Sequence, residues 1–210
     1  PLYLSFNEDA FASVYVFAYR WHQTNMLISV EQEHNVSLGR AFANSIWMSY
    51  SYYLTSVDHL DGNALRGRPE TLELNDLMPR LTSGLPVLKV KIYNPKGLTI
   101  YSSEAGQMGE SKVGNALFEA AVRGVKTNST MSFREKFAAF SGPVTNVSLV
   151  ETYVPITDAT GRIVIVFEVY SDITAYAAGI RRQILPVAVL SIVMFAVLYL
   201  VLLLVVRRAD

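Results

Sequence analysis

The stretch Ser148–Asp172, SLVETYVPITDATGRIVIVFEVYSD, decides the fold. Ser148 to Ile156 and Arg162 to Asp172 are dense in β-branched and aromatic residues, and Asp158-Ala159-Thr160-Gly161 between them has turn composition. The reading is a β-hairpin. In its second strand Ile163, Ile165, Phe167 and Val169 point one way, and Val164, Val166, Glu168, Tyr170 and Asp172 the other, because side chains alternate across a strand.

Upstream, the same period of two recurs. Leu88, Val90 and Ile92 alternate with Lys89, Lys91 and Tyr93, Asn94-Pro95-Lys96-Gly97 supplies a turn, and Leu98 to Tyr101 resumes the alternation, which predicts a second hairpin. Between the hairpins, Asn115 caps a short helix from Ala116 to Arg123, Gly124 stops it, and Val125 to Phe133 reads as a strand. The sum is a five-stranded antiparallel sheet with helices at one side, an α+β fold.

Nearer the amino terminus the period becomes helical. From Trp21 to Leu60, the apolar residues Leu27, Val30, Leu38, Phe42, Ile46, Tyr50, Tyr53 and Val57 form one stripe, while Glu31, Glu33, Asn35 and Arg40 make the rest polar. That is a long amphipathic helix, suited both to packing on its own domain and to pairing with a second copy. Asp61 to Glu70 is rich in Gly, Arg and Pro and reads as an exposed loop, followed by a short helix from Thr71 that Pro79 disturbs. The run Ala10 to Tyr19 is apolar apart from Ser13 but too short to cross a bilayer unaided. It is compatible with the end of a membrane helix, an interfacial helix or a buried segment.

Beyond Asp172 the chain turns helical again, and Asp172 is placed to accept first-turn N–H groups. No charged residue occurs from Ile184 to Val206, a helix of roughly 35 Å at about 1.5 Å per residue, against a hydrocarbon core of about 30 Å. This predicts a transmembrane span. A continuous helix from Ile173 to Val206 would join the last strand to the bilayer as a stiff rod, with Gly179 and Pro186 as its weak points. Arg181 and Arg182 before the span balance Arg207 and Arg208 after it, so local charge does not orient it.

Composition removes several function classes. Lys plus Arg and Asp plus Glu are 18 each, which leaves no positive excess for a nucleic-acid partner. The chain has no cysteine, hence no disulfide, thiolate metal site or cysteine nucleophile. Its three histidines, His22, His34 and His59, lie outside the sheet region and lack metal-ligand spacing. With no phosphate loop or nucleophile elbow either, no catalytic constellation, cofactor site or metal site is expected.

Val90 to Ser111 (VKIYNPKGLTIYSSEAGQMGES), Leu149 to Gly161 (LVETYVPITDATG) and Val164 to Thr174 (VIVFEVYSDIT), followed by an apolar helix, resemble the periplasmic PAS-like or Cache-like sensor region of membrane-bound bacterial diguanylate cyclases and sensor histidine kinases. The helix segment EQEHNVSLGRAFAN is similar to that family's first ectodomain helix. The resemblance implies a homodimer in a bacterial inner membrane, a periplasmic sensor and a cytoplasmic output domain. It divides the chain into 1–20, a possible membrane or interfacial segment; 21–84, a helical stalk and short helix; 85–172, the sensor sheet; 173–206, a signalling helix entering the 184–206 span; and 207–210, a linker.

In such sensors a small molecule sits against the sheet under a loop-and-helix cover. By alternation the residues facing that space are Lys89, Lys91 and Tyr93, then Glu151 and Tyr153, then Tyr170 and Asp172, with Arg134 in the covering loop. A carboxylate ligand would use Lys91 or Arg134, and an amine Glu151 or Asp172. The plainer assignments are that Asp172 caps the outgoing helix, the lysines are solvated and the tyrosines pack with wet hydroxyls. The competing expectation for the whole chain is a partner-binding or structural ectodomain with no small ligand.

Overall fold

The computed structural model describes residues 2–124 and 128–209; side chains at 1–16, 181, 183–185, 187, 188 and 209 are outside what is described. In order come α1 (Leu2–Ser56), α2 (Gly62–Arg66), α3 (Pro69–Leu81), β1 (Val87–Tyr93), β2 (Thr99–Ser102), a 3-10 turn (Ala105–Gln107), α4 (Ala116–Val122), β3 (Asn128–Ala139), β4 (Gly142–Thr157), β5 (Ile163–Asp172) and α5 (Thr174–Ala209). The chain forms two units, one of residues 28–174 and one of 1–27 with 175–210.

In the first unit the strands form one antiparallel sheet in the order β2-β1-β5-β4-β3. Both predicted hairpins are present. At the β1–β2 turn the Asn94 carboxamide oxygen accepts the N–H groups of Lys96 and Leu98, and Gly97 takes φ 89°, which a side chain would resist. Asn115 caps α4 by accepting from Leu117 and Phe118, and Gly124 ends it at φ 67°.

One sheet face packs on α1, α2 and α3. Phe42, Ile46, Tyr50 and Tyr53 of α1, Leu65 of α2 and Leu74 and Met78 of α3 bury against Val90, Ile92, Val154, Ile165, Phe167 and Val169. A polar network sits within this interface. Asn35 donates to Thr152 Oγ1 at 3.0 Å and accepts from Ser171 Oγ at 2.5 Å, and Ser129 meets Thr152 at 2.8 Å. Gly39 lets α1 approach β4 closely, since a Cβ there would lie 3.1 Å from Val154.

Several expectations are corrected. Helices flank both faces, not one side, because Phe118 and Ala121 of α4 cover Tyr93, Tyr153 and Val166. Asp61 to Glu70 is not an open loop: Asp61 caps α2 by accepting from Ala64, Leu65 is buried, and Pro69 starts α3, where its missing N–H costs nothing. The inward side of α1 carries buried Glu31 and Asn35, and Val30 faces out, because Asn35 has hydrogen-bonding partners on the sheet. Leu88 leaves the face of Val90 and Ile92 at a register shift between Val87 and Lys89. A second shift, between Ile156 and Thr157, exchanges Ile163 and Val164 between faces. The predicted strand from Val125 begins at Asn128 among the described residues; 125–127 lie outside them.

The second unit is helical. Within α5, Val189–Arg208 has a mean hydropathy of 3.2 and is long and apolar enough to cross a membrane, whereas the sequence reading placed the span at 184–206.

Candidate functional site

The face of the sheet under α4 gathers most of the predicted site residues. At its centre is Glu168, which the alternation placed on this face but which was not singled out; its side chain is 0% exposed. The Tyr93 hydroxyl donates to Glu168 Oε2 at 2.5 Å. Lys91 Nζ lies 4.0 Å from the same oxygen with its side chain 9% exposed, and Lys112 Nζ lies 3.3 Å from Oε1 with its side chain 23% exposed.

Lys112 comes from the segment between the 3-10 turn and α4. Its N–H donates to Gly97 at 2.7 Å and Ser111 bridges Leu98, so the β1–β2 turn holds it over the sheet. Its ammonium sits 5.4 Å from the Tyr153 ring centre and 5.9 Å from that of Tyr93. Phe118 closes the group, edge-on to Tyr93 and to Tyr153 at centroid distances of 5.4 and 6.4 Å.

Two buried polar atoms here lack a hydrogen bond among the described residues: Tyr153 Oη and Glu168 Oε1. Tyr153 lies close enough to Glu168 for the carboxylate to act on its hydroxyl by charge and by hydrogen bonding, although no hydrogen bond of full geometry forms. Burial first, then the Glu168 charge, pushes the hydroxyl pKa of Tyr93, Tyr153 and Tyr170 up. Burial also lowers the Lys91 pKa, with Lys112 and Lys89 adding repulsion and Glu168 opposing.

Next to this group are two paired charges. Glu151 accepts from Ser132 at 2.9 Å and from Arg134 at 3.1 Å. Lys89 pairs with Glu104 at 2.6 Å, over the Phe137 ring at 4.3 Å. Arg134 is therefore not in a covering loop: β3 runs on to Ala139 as an edge strand, where charged residues are at home, and Arg134 pairs with Val147.

Lys91, Tyr93, Tyr153 and Tyr170 converge with Glu168, and Glu151 and Arg134 form the neighbouring pair. Asp172 stands apart, its carboxylate accepting the Thr174 N–H at 2.8 Å at the start of α5. The lysines are not solvated; Lys89 and Lys91 are buried. Sequence reasoning missed Lys112 and Phe118, which only the long-range fold brings here, and passed over Glu168. A lone carboxylate inside the apolar run VIVFEVY was a usable signal for it. Two clefts lie elsewhere, of about 340 Å³ around Thr82 and Phe140 and about 490 Å³ around Arg40 and Pro155. Neither is lined by a buried charged side chain, so the buried cluster is the candidate site. Among the described residues no group of three His, Asp or Glu side chains is arranged to hold a metal ion.

No protein-family model matches the chain, and no curated protein matches it in sequence. Among solved structures, the DcuS sensor domain of E. coli is similar at 14% identity, over 58% of this chain and 80% of that one, with a TM-score of 0.37. A sensory box sensor histidine kinase from Vibrio cholerae is similar at 12% identity over 50% and 95%, TM-score 0.34. The V. cholerae histidine kinase DctB sensor domain is similar at 16% identity over 73% and 58%, TM-score 0.34. In fold the chain is α+β, with a long N-terminal helix, a five-stranded antiparallel sheet and an apolar C-terminal helix.

Proposed function

We propose that this chain is the extracytoplasmic sensor module of a bacterial inner-membrane signalling protein, in which a small organic anion binds at Lys91 and Lys112 and the change is passed along α5 to a cytoplasmic output domain of the diguanylate cyclase or histidine kinase type. The observation that carries this reading is Glu168, a fully buried carboxylate facing two ammonium groups on the strand that runs into α5. Burying such charges costs several kcal/mol per ion, and apolar residues of similar volume would serve stability as well or better. Together with an unpartnered hydroxyl, this is how a binding site differs from a core.

The charge count favours an anion. Lys89 with Glu104, and Arg134 with Glu151, are each neutral as pairs, while Lys91, Lys112 and Glu168 leave one positive charge over. The test is thermal unfolding of the full 210-residue chain in lipid nanodiscs with acetate, glycine or ethylamine. Acetate at a hundredfold excess over its dissociation constant should stabilise the protein by about 2.7 kcal/mol, and Lys91→Met should abolish the shift. A flat response from a folded protein would favour the partner-binding ectodomain instead.

The same reading includes a second copy as partner along α1. Ala41, Ser45, Met48 and Tyr52 form an exposed row opposite the face packed on the sheet, with Met48 95% and Tyr52 84% exposed. Light scattering on the detergent-solubilised chain should give twice the chain mass, and Met48→Glu with Tyr52→Glu should halve it. An unchanged mass in that variant would remove α1 as the contact.

A further inference from the structure

We propose that Glu168 sets the charge of the ligand, holding the Lys91–Lys112 seat to monoanions and turning dianions away. This rests on the anion-binding reading above and adds a residue that decides specificity within it. Glu168 lies in the same buried compartment as both lysines, 4.0 Å from Lys91 and 3.3 Å from Lys112, and is held there by the Tyr93 hydroxyl. Its charge therefore counts against the two ammonium groups with less solvent screening than at the surface.

With Glu168 ionised the compartment carries one surplus positive charge, which one negative charge neutralises. A second negative charge would leave the compartment net negative in a site walled by Tyr93, Phe118 and Tyr153. The neighbouring cations do not change this count, since Lys89 is bound to Glu104 and Arg134 to Glu151. The Tyr153 hydroxyl, which has no hydrogen bond of full geometry, is a neutral donor on the same face, suited to one further oxygen of a bound anion, and adds no charge. Glu110 also acts on Lys91 but is exposed, where water screens it, so Glu168 is the buried acidic side chain described within 4.0 Å of the seat lysines.

Glutamine at this position keeps the shape and can still accept from Tyr93 while losing the charge. The experiment measures dissociation constants for acetate and for malonate on the full chain in nanodiscs, for wild type, Glu168→Gln and Lys112→Met. Wild type should prefer acetate. In Glu168→Gln the malonate-to-acetate affinity ratio should rise at least about tenfold, a comparison in which the size difference between the two probes cancels. In Lys112→Met the surplus falls to zero and acetate affinity should drop at least about tenfold.

A ratio unchanged in Glu168→Gln, a wild type that prefers malonate, or a Lys112→Met protein that binds acetate like wild type would each overturn the charge-setting role while leaving an anion site in place. If no protein of the set binds either anion, the anion-site reading falls with it. Should Glu168→Gln fail to fold, the wild-type preference between acetate and malonate decides between the two outcomes.

Discussion

The two faces of one sheet are built on opposite terms from the same strands. Toward α1, Val90, Ile92, Phe167 and Val169 meet an apolar helix stripe, and the polar groups Asn35, Thr152 and Ser171 satisfy one another, while Glu31 Oε2 on the inward side of α1 has no hydrogen bond. Toward α4, the intervening residues Lys91, Tyr93, Glu168 and Tyr170 bring buried charge, with Tyr153 Oη and Glu168 Oε1 left without hydrogen bonds. Alternation along a strand thus separates two tasks with a single residue step. One face holds the fold together, and the other accepts a stability penalty that a binding site can use.

The largest expected effect comes from raising pH, and it acts mainly through the α4 face. Tyr93, Tyr153 and Tyr170 have hydroxyl pKa values raised above 10 by burial and by Glu168. Above pH 10 the unfolded chain releases protons that the folded chain keeps, so the stability these groups contribute is full below that pH and is lost as pH rises. The loss is about 1.4 kcal/mol per pH unit for each tyrosine, roughly 4 kcal/mol per unit for the three. Lys91 acts with opposite sign: its folded pKa is depressed below 10.5, so its penalty is relieved as pH climbs toward that value. Denaturant titrations followed by circular dichroism between pH 8 and 12 should show the steep fall, and replacing the three tyrosines by Phe should move it upward. An unmoved transition would assign alkaline unfolding to the α1 face, where burial also raises Tyr101 and Tyr53.

Next in size is a cavity on the α1 face. Ile46 is fully buried against the sheet from α1, and Ile46→Ala should cost about 2–5 kcal/mol in equilibrium denaturation. Acetate affinity of the folded fraction should stay within about twofold of wild type if the faces are separable. A large loss of affinity would show that they are coupled through the strands.

How much of this was legible in the sequence follows from the range of each interaction. The hairpin turn at Asn94–Gly97, the Asn115 cap and the alternation of Lys91 and Tyr93 are local and were readable. The faces of Leu88, Ile163 and Val164 were misplaced, because a register shift depends on the partner strand and not on the residues themselves. Arg134 read as part of a covering loop, and only its pairing with β4 makes it an edge-strand residue. Lys112 reaches Glu168 across a long stretch of sequence, so no local pattern announces it. Glu31 and Asn35 read as the wet side of a helix, and Asn35 is buried because Thr152 and Ser171, far along the chain, receive it.

The smallest expected effect is the sharpest test of the comparison. A buried hydroxyl with no partner costs free energy to desolvate, so deleting it is neutral or favourable, whereas deleting a bonded one costs about 1–3 kcal/mol through the partner it strands. Tyr153→Phe keeps the ring against Phe118 and Tyr93 and removes only Oη. Stability in denaturant should therefore stay level or rise by up to about 1 kcal/mol, while acetate binds more weakly for want of that donor. Thr152→Val, on the other face, removes a hydroxyl bonded to Asn35 and Ser129 and should lose about 1–3 kcal/mol with acetate binding unchanged. If Tyr153→Phe instead loses as much stability as Thr152→Val, its hydroxyl is satisfied in solution and the α4 face is a second core; opposite signs for the two variants would mean that the sheet keeps its unmet polar capacity on the side where Glu168 and the lysines lie.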